Sequence, residues 1–204
     1  MNEELSNKLK ELKNEDKKLI NTGKKLFEKI GHTEFTLFCF SVLNRTINLN
    51  RGYITLVEDG NYIAAAPLVR LNLDSLLRIF ASIQSEFDIE VFANKVRHGT
   101  KIRDISHHKN IKHKLTDTKL VKLLKEIKGF KWVDKIYDAG SGYVHLSNQH
   151  FYSSIRIKES EKVEAIIRKT DEFVTDEEKI AGTFYMIQSS RGIRIFIEDI
   201  LESL

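Results

Sequence analysis

The feature of this 204-residue chain that most restricts its fold is the scarcity of chain breakers: it contains one proline and ten glycines. A protein built from many short strands needs frequent turns, and turns depend heavily on these two residue types. With 41% apolar and 30% charged residues, the composition excludes a disordered, collagen-like or disulfide-stapled chain. We therefore predict a mainly α-helical bundle that forms a single domain over residues 1–204.

The sequence also carries signals about the cellular compartment. The single cysteine, Cys39, has no intrachain partner for a disulfide, and the N-terminus lacks the basic–apolar–small pattern of a secretory leader. The longest apolar-rich stretch, Phe35 to Leu43, is far shorter than the ~20 residues that a bilayer requires. These observations predict a cytoplasmic protein with no membrane partner.

Apolar residues recur at helical spacing along the N-terminal part of the chain. Residues 1–30 carry an apolar stripe between many charges, which predicts a helix that either packs by one face or serves as a partner-binding arm. Residues 33–58 predict a second helix with Thr33 as its N-cap. Residues 61–84 are the most apolar and predict the central core helix, with Pro67 either in its first turn or at a kink.

The C-terminal part of the chain begins with the one alternating pattern. Residues 151–169 predict a β-hairpin with its turn at 159–161. Thr175 and Glu178 have the spacing of a capping box and predict a long helix over 175–203. Apolar residues spread widely around this helix, which predicts burial on most faces and therefore a dimer. They are Phe184, Met186, Ile187, Ile193, Ile195, Phe196 and Ile200.

Positive charge is concentrated in the middle of the chain. Between predicted helices at 87–98 and 116–129 lies a polar, basic stretch without periodicity, which predicts a loop. Residues 95–135 hold thirteen Lys or Arg against four Asp or Glu, a balance of +9 in a chain of net charge +4. Such a segment either binds a polyanion such as RNA or is a solvated helix face. The residues predicted to bind nucleic acid are Lys95, Arg97, Lys101, Arg103, Lys109, Lys112 and Lys114.

Familiar catalytic signatures are absent from the sequence. There is no phosphate-binding glycine loop, no nucleophile elbow and no zinc-protease motif. His107, His108 and His113 lie among lysines without a cysteine nearby, so we predict no metal site and no cofactor. Cys39 lies between two phenylalanines and is predicted to be an unreactive core thiol.

One group of candidate functional residues lies on the predicted central helix. Arg70 and Asp74 are four residues apart, and Arg78 follows one turn later. Charges inside so apolar a helix must be paired or line a cleft, because burying a lone charge is very costly. We predict that Arg70 and Asp74 form one coupled unit, which is either a structural lock between helices or part of a site.

A second group lies in residues 141–150. A turn at Gly140–Gly142 is predicted to precede a short helix that carries Tyr143, His145 and His150. At the beginning of a helix, free backbone N–H groups favour a bound phosphate. His145 is therefore either a functional residue or a core histidine bonded to a carbonyl.

These features together resemble a known family. A helical domain with an Arg–polar–acid row on a central helix and a later Gly-Tyr-Val-His segment is similar to the HEPN superfamily, which comprises helical domains of prokaryotic defence and toxin–antitoxin systems. Catalytic members carry an arginine followed a few residues later by a histidine, and Arg103 followed by His107 and His108 is the match here. The resemblance covers residues 33–150 and explains neither the hairpin nor the last helix.

The resemblance implies metal-independent RNA cleavage, in which an arginine stabilises the charged transition state and a histidine acts as general acid or base. It also implies a homodimer whose two active sites meet at the interface, and a cognate antitoxin or another defence protein as partner. Relatives that have lost catalysis bind RNA, a nucleotide or a partner. The implied catalytic residues are Arg70, Asp74, Tyr143 and His145, with Arg103 and His108 as the alternative pair.

We rank His145 ahead of His108, because a lysine-rich loop does not hold a general acid–base group at fixed geometry. The leading interpretation is a HEPN-like helical domain that binds or cleaves RNA in a bacterial defence or toxin setting. The rival interpretation is a non-enzymatic binding or scaffold module. In that module Arg70, Asp74 and His145 are structural or ligand contacts.

Overall fold

The computed structural model describes residues 2–145, 147–157 and 162–204, and it is mainly α-helical, as predicted. The helices are α1 (Glu3–Ile30), α2 (Glu34–Glu58), α3 (Tyr62–Gln84), α4 (Ile89–Arg97), α5 (Asp117–Leu124), α6 (Val133–Val144), α7 (Asn148–Ser154) and α8 (Asp176–Ser203). A 3-10 turn covers Ile102–Asp104, and the strands are β1 (Ser106–His107), β2 (Asn110–Lys114), β3 (Ile155–Ile157) and β4 (Val163–Ala165). None of the helices in these ranges is long and apolar enough to cross a membrane.

Side chains that cap the helices explain where several of them begin. The Thr33 hydroxyl accepts a hydrogen bond from the Thr36 backbone N–H, which confirms the predicted start of α2. Thr175 and Glu178 form the predicted capping box at the start of α8. Pro67 lies inside α3, in its second turn and not its first. The local sequence therefore places most helix ends correctly.

Four long helices form the main bundle. α8 packs against α1 and α3, and α2 packs against the same two helices. Their inward faces bury leucines and aromatic rings, and each fully buried side chain of this kind stabilises the fold by about 1.5–3 kcal/mol. Cys39 is buried among them, and this burial raises the pKa of its thiol, so the thiol is unreactive.

A layer of buried amides crosses the centre of this bundle. Asn50 donates hydrogen bonds to Asp16 and Ser190, both at 3.1 Å. Asn72 donates to the backbone carbonyl of Met186 at 3.3 Å. Since these contacts join all four long helices, they determine how each helix is rotated toward the core.

α8 is buried within its own chain. Five of its seven predicted core residues are buried between α1 and α3, namely Met186, Ile187, Ile193, Phe196 and Ile200. Phe184 and Ile195 remain 39% and 41% exposed. Gly182 and Gly192 allow the close packing that this requires, because a Cβ on Gly192 would lie 2.8 Å from the Phe130 ring. The apolar character of α8 therefore does not itself require a second copy.

α6 corrects the prediction of a turn at Gly140–Gly142. The helix runs through these residues to Val144 and packs on α3. A Cβ on Gly140 would lie 2.7 Å from the Cβ of Arg70, so glycine here permits helix contact and does not form a turn. The predicted short helix begins later, as α7.

The predicted loop and the predicted hairpin are both corrected. The basic stretch between α4 and α5 contains an antiparallel β1–β2 pair, with Ser106 opposite Lys114. Its support is tertiary, because His107 also bridges to Ser85 at the end of α3. Of the hairpin predicted at 151–169, only β3 and β4 pair, since Tyr152 lies in α7. The predicted turn at 159–161 lies outside the described residues.

Candidate functional site

An alternating row of charges, which we call the charge ladder, runs along α3. Arg45 Nη1 lies 3.1 Å from Asp74 Oδ2, and Arg78 also contacts Asp74. Arg78 Nη2 lies 2.7 Å from Asp117 Oδ1, and Arg70 Nη2 lies 3.5 Å from Asp117 Oδ2. The ladder contains three arginines and two aspartates, and its net charge is therefore +1.

The predicted direct pair between Arg70 and Asp74 does not form. Asp74 is occupied by arginines from α2 and from the next turn of α3, whereas Arg70 turns toward α5 and α6. The Arg70 guanidinium lies 4.3 Å from the centre of the Tyr137 ring, a cation–π geometry. The two predicted residues belong to one network but are joined only through Arg78 and Asp117.

Arg78 is the centre of this network. Burial opposes the charge of its guanidinium, but hydrogen bonds and charge attraction from Asp74 and Asp117 more than offset that effect, so its pKa lies above the usual range. Arg78 thus keeps a fixed positive charge. Since an arginine has five N–H donors, it retains donors for a further anion.

A cleft of about 630 Å³ opens beside the ladder. Arg78 and Asp117 form part of its wall, together with Tyr137 from α6. Lys101 and Arg103 line it from the 3-10 turn; both are exposed, and neither forms an ion pair with a described carboxylate. The cleft therefore combines one positioned ladder arginine, Arg78, on its wall with unpaired cations at its edge.

A second, more apolar cavity of about 330 Å³ adjoins the cleft. The two share Arg78, Val96 and Ile102. The second cavity lies between α2 and α4, where Phe38 and Val42 line it, and Arg45 and Arg97 are also part of its lining.

Three of the seven residues predicted to bind nucleic acid make local contacts. Arg97 forms two 2.7 Å hydrogen bonds with Glu34, and Lys95 lies 4.7 Å from the centre of the Phe87 ring. Lys114 donates to the Asp104 carbonyl at 2.8 Å. The other four, Lys101, Arg103, Lys109 and Lys112, are exposed and form no ion pair within the described ranges.

Two histidines anchor the β1–β2 pair to α3. The Lys109 backbone N–H donates to His107 Nδ1 at 3.1 Å, so the proton of the neutral ring is on Nε2 and is donated to Gln84 Oε1 at 3.2 Å. His108 Nδ1 lies 3.1 Å from the Gln84 carbonyl oxygen, and the two imidazoles stack at 4.6 Å. Burial, and then the nearby charges of His108 and Lys119, lower the pKa of His107. His107 is thus a neutral structural residue.

The structure does not bring Tyr143 and His145 to the ladder. Tyr143 is half-buried and packs edge-on against Tyr62 at the start of α3, at 6.3 Å between ring centres. His145 is the exposed C-cap of α6, and its backbone N–H donates to the Ser141 carbonyl. The prediction that His145 lies at the beginning of a helix is therefore wrong, because Gly140 continues α6 through that region.

The sequence analysis missed three residues of the ladder and the cleft, namely Arg45, Asp117 and Tyr137. Arg45 and Asp117 come from other elements than α3, and Tyr137 was predicted only as part of an apolar turn. Asp74 was predicted, but it has an arginine four residues away on each side, and this spacing alone does not show which arginine pairs with it.

No three described His, Cys, Asp or Glu side chains cluster as metal ligands. No protein-family model matches the chain, and neither a curated protein nor a solved structure matches it.

Proposed function

We propose that this chain binds RNA in the cleft beside the charge ladder. The observation that carries the proposal is that Lys101 and Arg103 line the cleft without a carboxylate partner, next to a wall that holds Arg78. Phosphate oxygens are the ligands that such an arrangement favours, because arginine donates charge-assisted hydrogen bonds to them in pairs.

The ladder holds its arginine side chains in fixed positions but adds little net positive charge to the cleft. Its two aspartates cancel two of its three arginines, so the ladder alone attracts an anion weakly. Lys101 and Arg103 raise the local balance from +1 to +3, and Lys109 in the β1–β2 turn and Lys112 on β2 extend the positive surface. Attraction of RNA thus depends on the four unpaired cations, whereas the aspartates keep the arginine side chains in place.

A second candidate function is metal-independent RNA cleavage, and the observation behind it is that a hydrogen bond to the Gln84 carbonyl holds His108 at the end of α3. The bond from His108 Nδ1 to the Gln84 carbonyl leaves Nε2 as the ring nitrogen for proton transfer. The stacked His107 ring and the hydrogen bond to Gln84 hold His108 just after β1, so this proposal takes His108 ahead of His145 as the general acid or base. In this proposal His108 and Arg103 act together, in the arginine–histidine spacing of the HEPN resemblance.

The binding proposal is tested by fluorescence anisotropy with a labelled single-stranded RNA. Lys101→Ala/Arg103→Ala should weaken binding by on the order of tenfold at ~0.1 M salt. It should also lower the slope of log affinity against log salt by about 1.4, because each lost phosphate contact contributes ~0.7. The matched control is Lys17→Ala/Lys25→Ala, which removes the same charge from exposed positions on α1. Equal losses in the two variants, or no binding at ~50 mM salt, would overturn the proposal.

Cleavage is tested on the same RNA with a chelator present, by following RNA length over time. We expect His108→Ala to abolish cleavage and His145→Ala to leave it intact. Loss of cleavage in His145→Ala alone would restore the original ranking. Intact RNA with the unmodified chain would leave binding as the function, in a bacterial defence role that the resemblance alone suggests.

A further inference from the structure

The apolar cavity beside the cleft has the size of a small-ligand pocket. It encloses about 330 Å³, whereas such pockets range over ~300–1,000 Å³. Leu37, Phe38 and Val42 of α2 and Val96 of α4 form most of its wall. Phe38 is only partly buried, although its ring packs perpendicular to that of Phe92, at 5.5 Å between ring centres. Part of the Phe38 ring therefore stays on the wall, where a flat ligand can contact it.

Polar groups of both hydrogen-bonding types interrupt this apolar wall. Glu34 is an acceptor, because its carboxylate binds Arg97 through two 2.7 Å hydrogen bonds and has lone pairs for others. The Ser41 hydroxyl donates its proton to a backbone carbonyl at 3.0 Å, so it meets any further partner as an acceptor. Arg45 is a donor: its hydrogen bonds to α3 both use Nη1, and the guanidinium carries further N–H groups on Nε and Nη2. The lining thus suits a ligand with apolar faces and with donors and acceptors at its edge.

The cavity and the cleft meet at a shared rim. Arg78, Val96 and Ile102 line both spaces. Lys101 and Arg103, on either side of Ile102 in the chain, line the cleft. A ligand that crosses this rim therefore has its anionic part among cations and its apolar part between α2 and α4.

We propose that the cavity holds one unpaired base of an RNA strand whose phosphates lie in the cleft. The inference rests on the proposed function and deepens it, because it makes the ligand a single-stranded segment. The edge and faces of a base inside a duplex are already occupied, whereas a base in a single strand can turn outward into a pocket. In the cavity the base packs against Phe38 and Val42, and the phosphate next to it binds Arg78 at the rim.

The polar lining favours a base over an acyl chain. An acyl chain fits the apolar wall equally well, but it offers no hydrogen bond to Glu34, Ser41 or Arg45. A base edge presents N–H groups to the first two residues and acceptor atoms to the third. The position of Arg78 between the two spaces adds to this preference, because every base in RNA is attached to a backbone that carries phosphate.

The test compares two short RNA strands on the unmodified chain by fluorescence anisotropy. One strand is abasic, so its sugars carry no base, and the other is the same strand with one adenine restored. The two strands present the same phosphates, so their affinities should depend equally on salt. The adenine should raise the affinity about fivefold or more, which is the lower end of the effect of stacking one base on an aromatic ring.

A substitution that fills the cavity tests where the base lies. Ser41 is exposed on α2 and lines the cavity, so the ring of Ser41→Phe should occupy the cavity without disturbing the core. In this variant the adenine should give no gain, and the abasic strand should bind as it does to the unmodified chain. Asn48→Phe is the matched control, because Asn48 is exposed about two turns further along the same face of α2, outside the cavity lining. The control should keep the gain, and thermal unfolding followed by circular dichroism checks that both variants fold.

The outcomes separate this inference from the proposed function. Equal affinities of the two strands for the unmodified chain, or a gain that Ser41→Phe retains, would overturn base insertion and leave RNA binding in place. Failure of both strands and of ordinary single-stranded RNA to bind would overturn both proposals. Binding of labelled adenosine monophosphate without any binding of RNA would assign the cavity to a free nucleotide, and it would likewise overturn insertion of a base from RNA.

Discussion

Three arginines share two aspartates along α3, so each ionic contact depends on its neighbours. Asp74 interacts with Arg45 and Arg78, and Asp117 interacts with Arg70 and Arg78. These side chains are partly exposed, so each contact falls between a surface ion pair of ~0–1 kcal/mol and a buried one that costs ~3–5 kcal/mol to break. Removal of one aspartate therefore affects two arginines at once.

Double-mutant cycles distinguish this ladder from a direct Arg70–Asp74 pair. We expect the Asp74→Ala/Arg78→Ala cycle to give a coupling energy of about 0.5–2 kcal/mol, because the two side chains are in contact. The Arg70→Ala/Asp74→Ala cycle should give a smaller coupling energy, since these two side chains are joined only through Arg78 and Asp117. Urea unfolding of the single and double variants measures both. A larger coupling in the second cycle would contradict the ladder.

His107 should make stability depend on pH. Its pKa in the folded chain is below the ordinary value of 6.5, because burial and neighbouring positive charges oppose protonation. Between these two pKa values the unfolded chain binds more protons, so the free energy of unfolding falls as pH drops below about 6.5. The loss is complete once pH is below the folded pKa. His107→Gln, which keeps a donor for Gln84, should remove this part of the pH dependence, as measured by urea unfolding from pH 8 to pH 5. An unchanged profile would show that His107 titrates normally.

At the scale of elements, two short segments depend on their contacts with α3. α6 approaches α3 closely enough that Gly140 has no room for a Cβ beside Arg70. The β1–β2 pair is short and gains its position from His107 and His108, which bind the end of α3. α6 supplies Tyr137 and α3 supplies Arg78 to the cleft, so the packing of α6 on α3 fixes this wall of the cleft.

Substitution of glycine in two helices tests this close approach. Gly140→Ala should destabilise the fold by about 1–3 kcal/mol, because its Cβ would meet the Cβ of Arg70 at 2.7 Å. Gly52→Ala is the control: its Cβ would meet only Leu68 at 3.5 Å, so the higher helix propensity of alanine should stabilise the fold by about 0.5–1 kcal/mol. Chemical denaturation measures both. Equal effects would show that α6 does not pack tightly on α3.

At the scale of the whole molecule, charge and apolar surface lie in different places. The unpaired cations lie at the 3-10 turn and in the β1–β2 hairpin, whereas exposed apolar side chains of Ile20, Phe27 and Phe40 lie together on α1 and α2. The sequence-based expectation of a dimer was attached to α8, which the chain itself buries between α1 and α3. A dimer stays a prediction, and the burial of α8 within the chain removes the sequence-based reason for it.

The sequence by itself determined the features that depend on near neighbours. The helical class, the long helices, the Thr33 and Thr175 caps and the basic character of the middle segment were all predictable, because spacing and capping act within a few residues. The described residues confirm the helical class and both caps. The excess of basic residues in this segment is a property of composition and needs no structure.

Only the tertiary structure decided which groups meet. Asp74 has an arginine at the same spacing on either side, and its choice of Arg78 depends on Arg45 arriving from α2 and on Asp117 drawing Arg70 toward α5. The sequence predicts a turn at Gly140, whereas in the structure Gly140 lies within α6 and allows Arg70 to pack against it. The β1–β2 pair forms because the end of α3 supports it. In each case the deciding partner is distant in sequence, and local spacing carries no information about it.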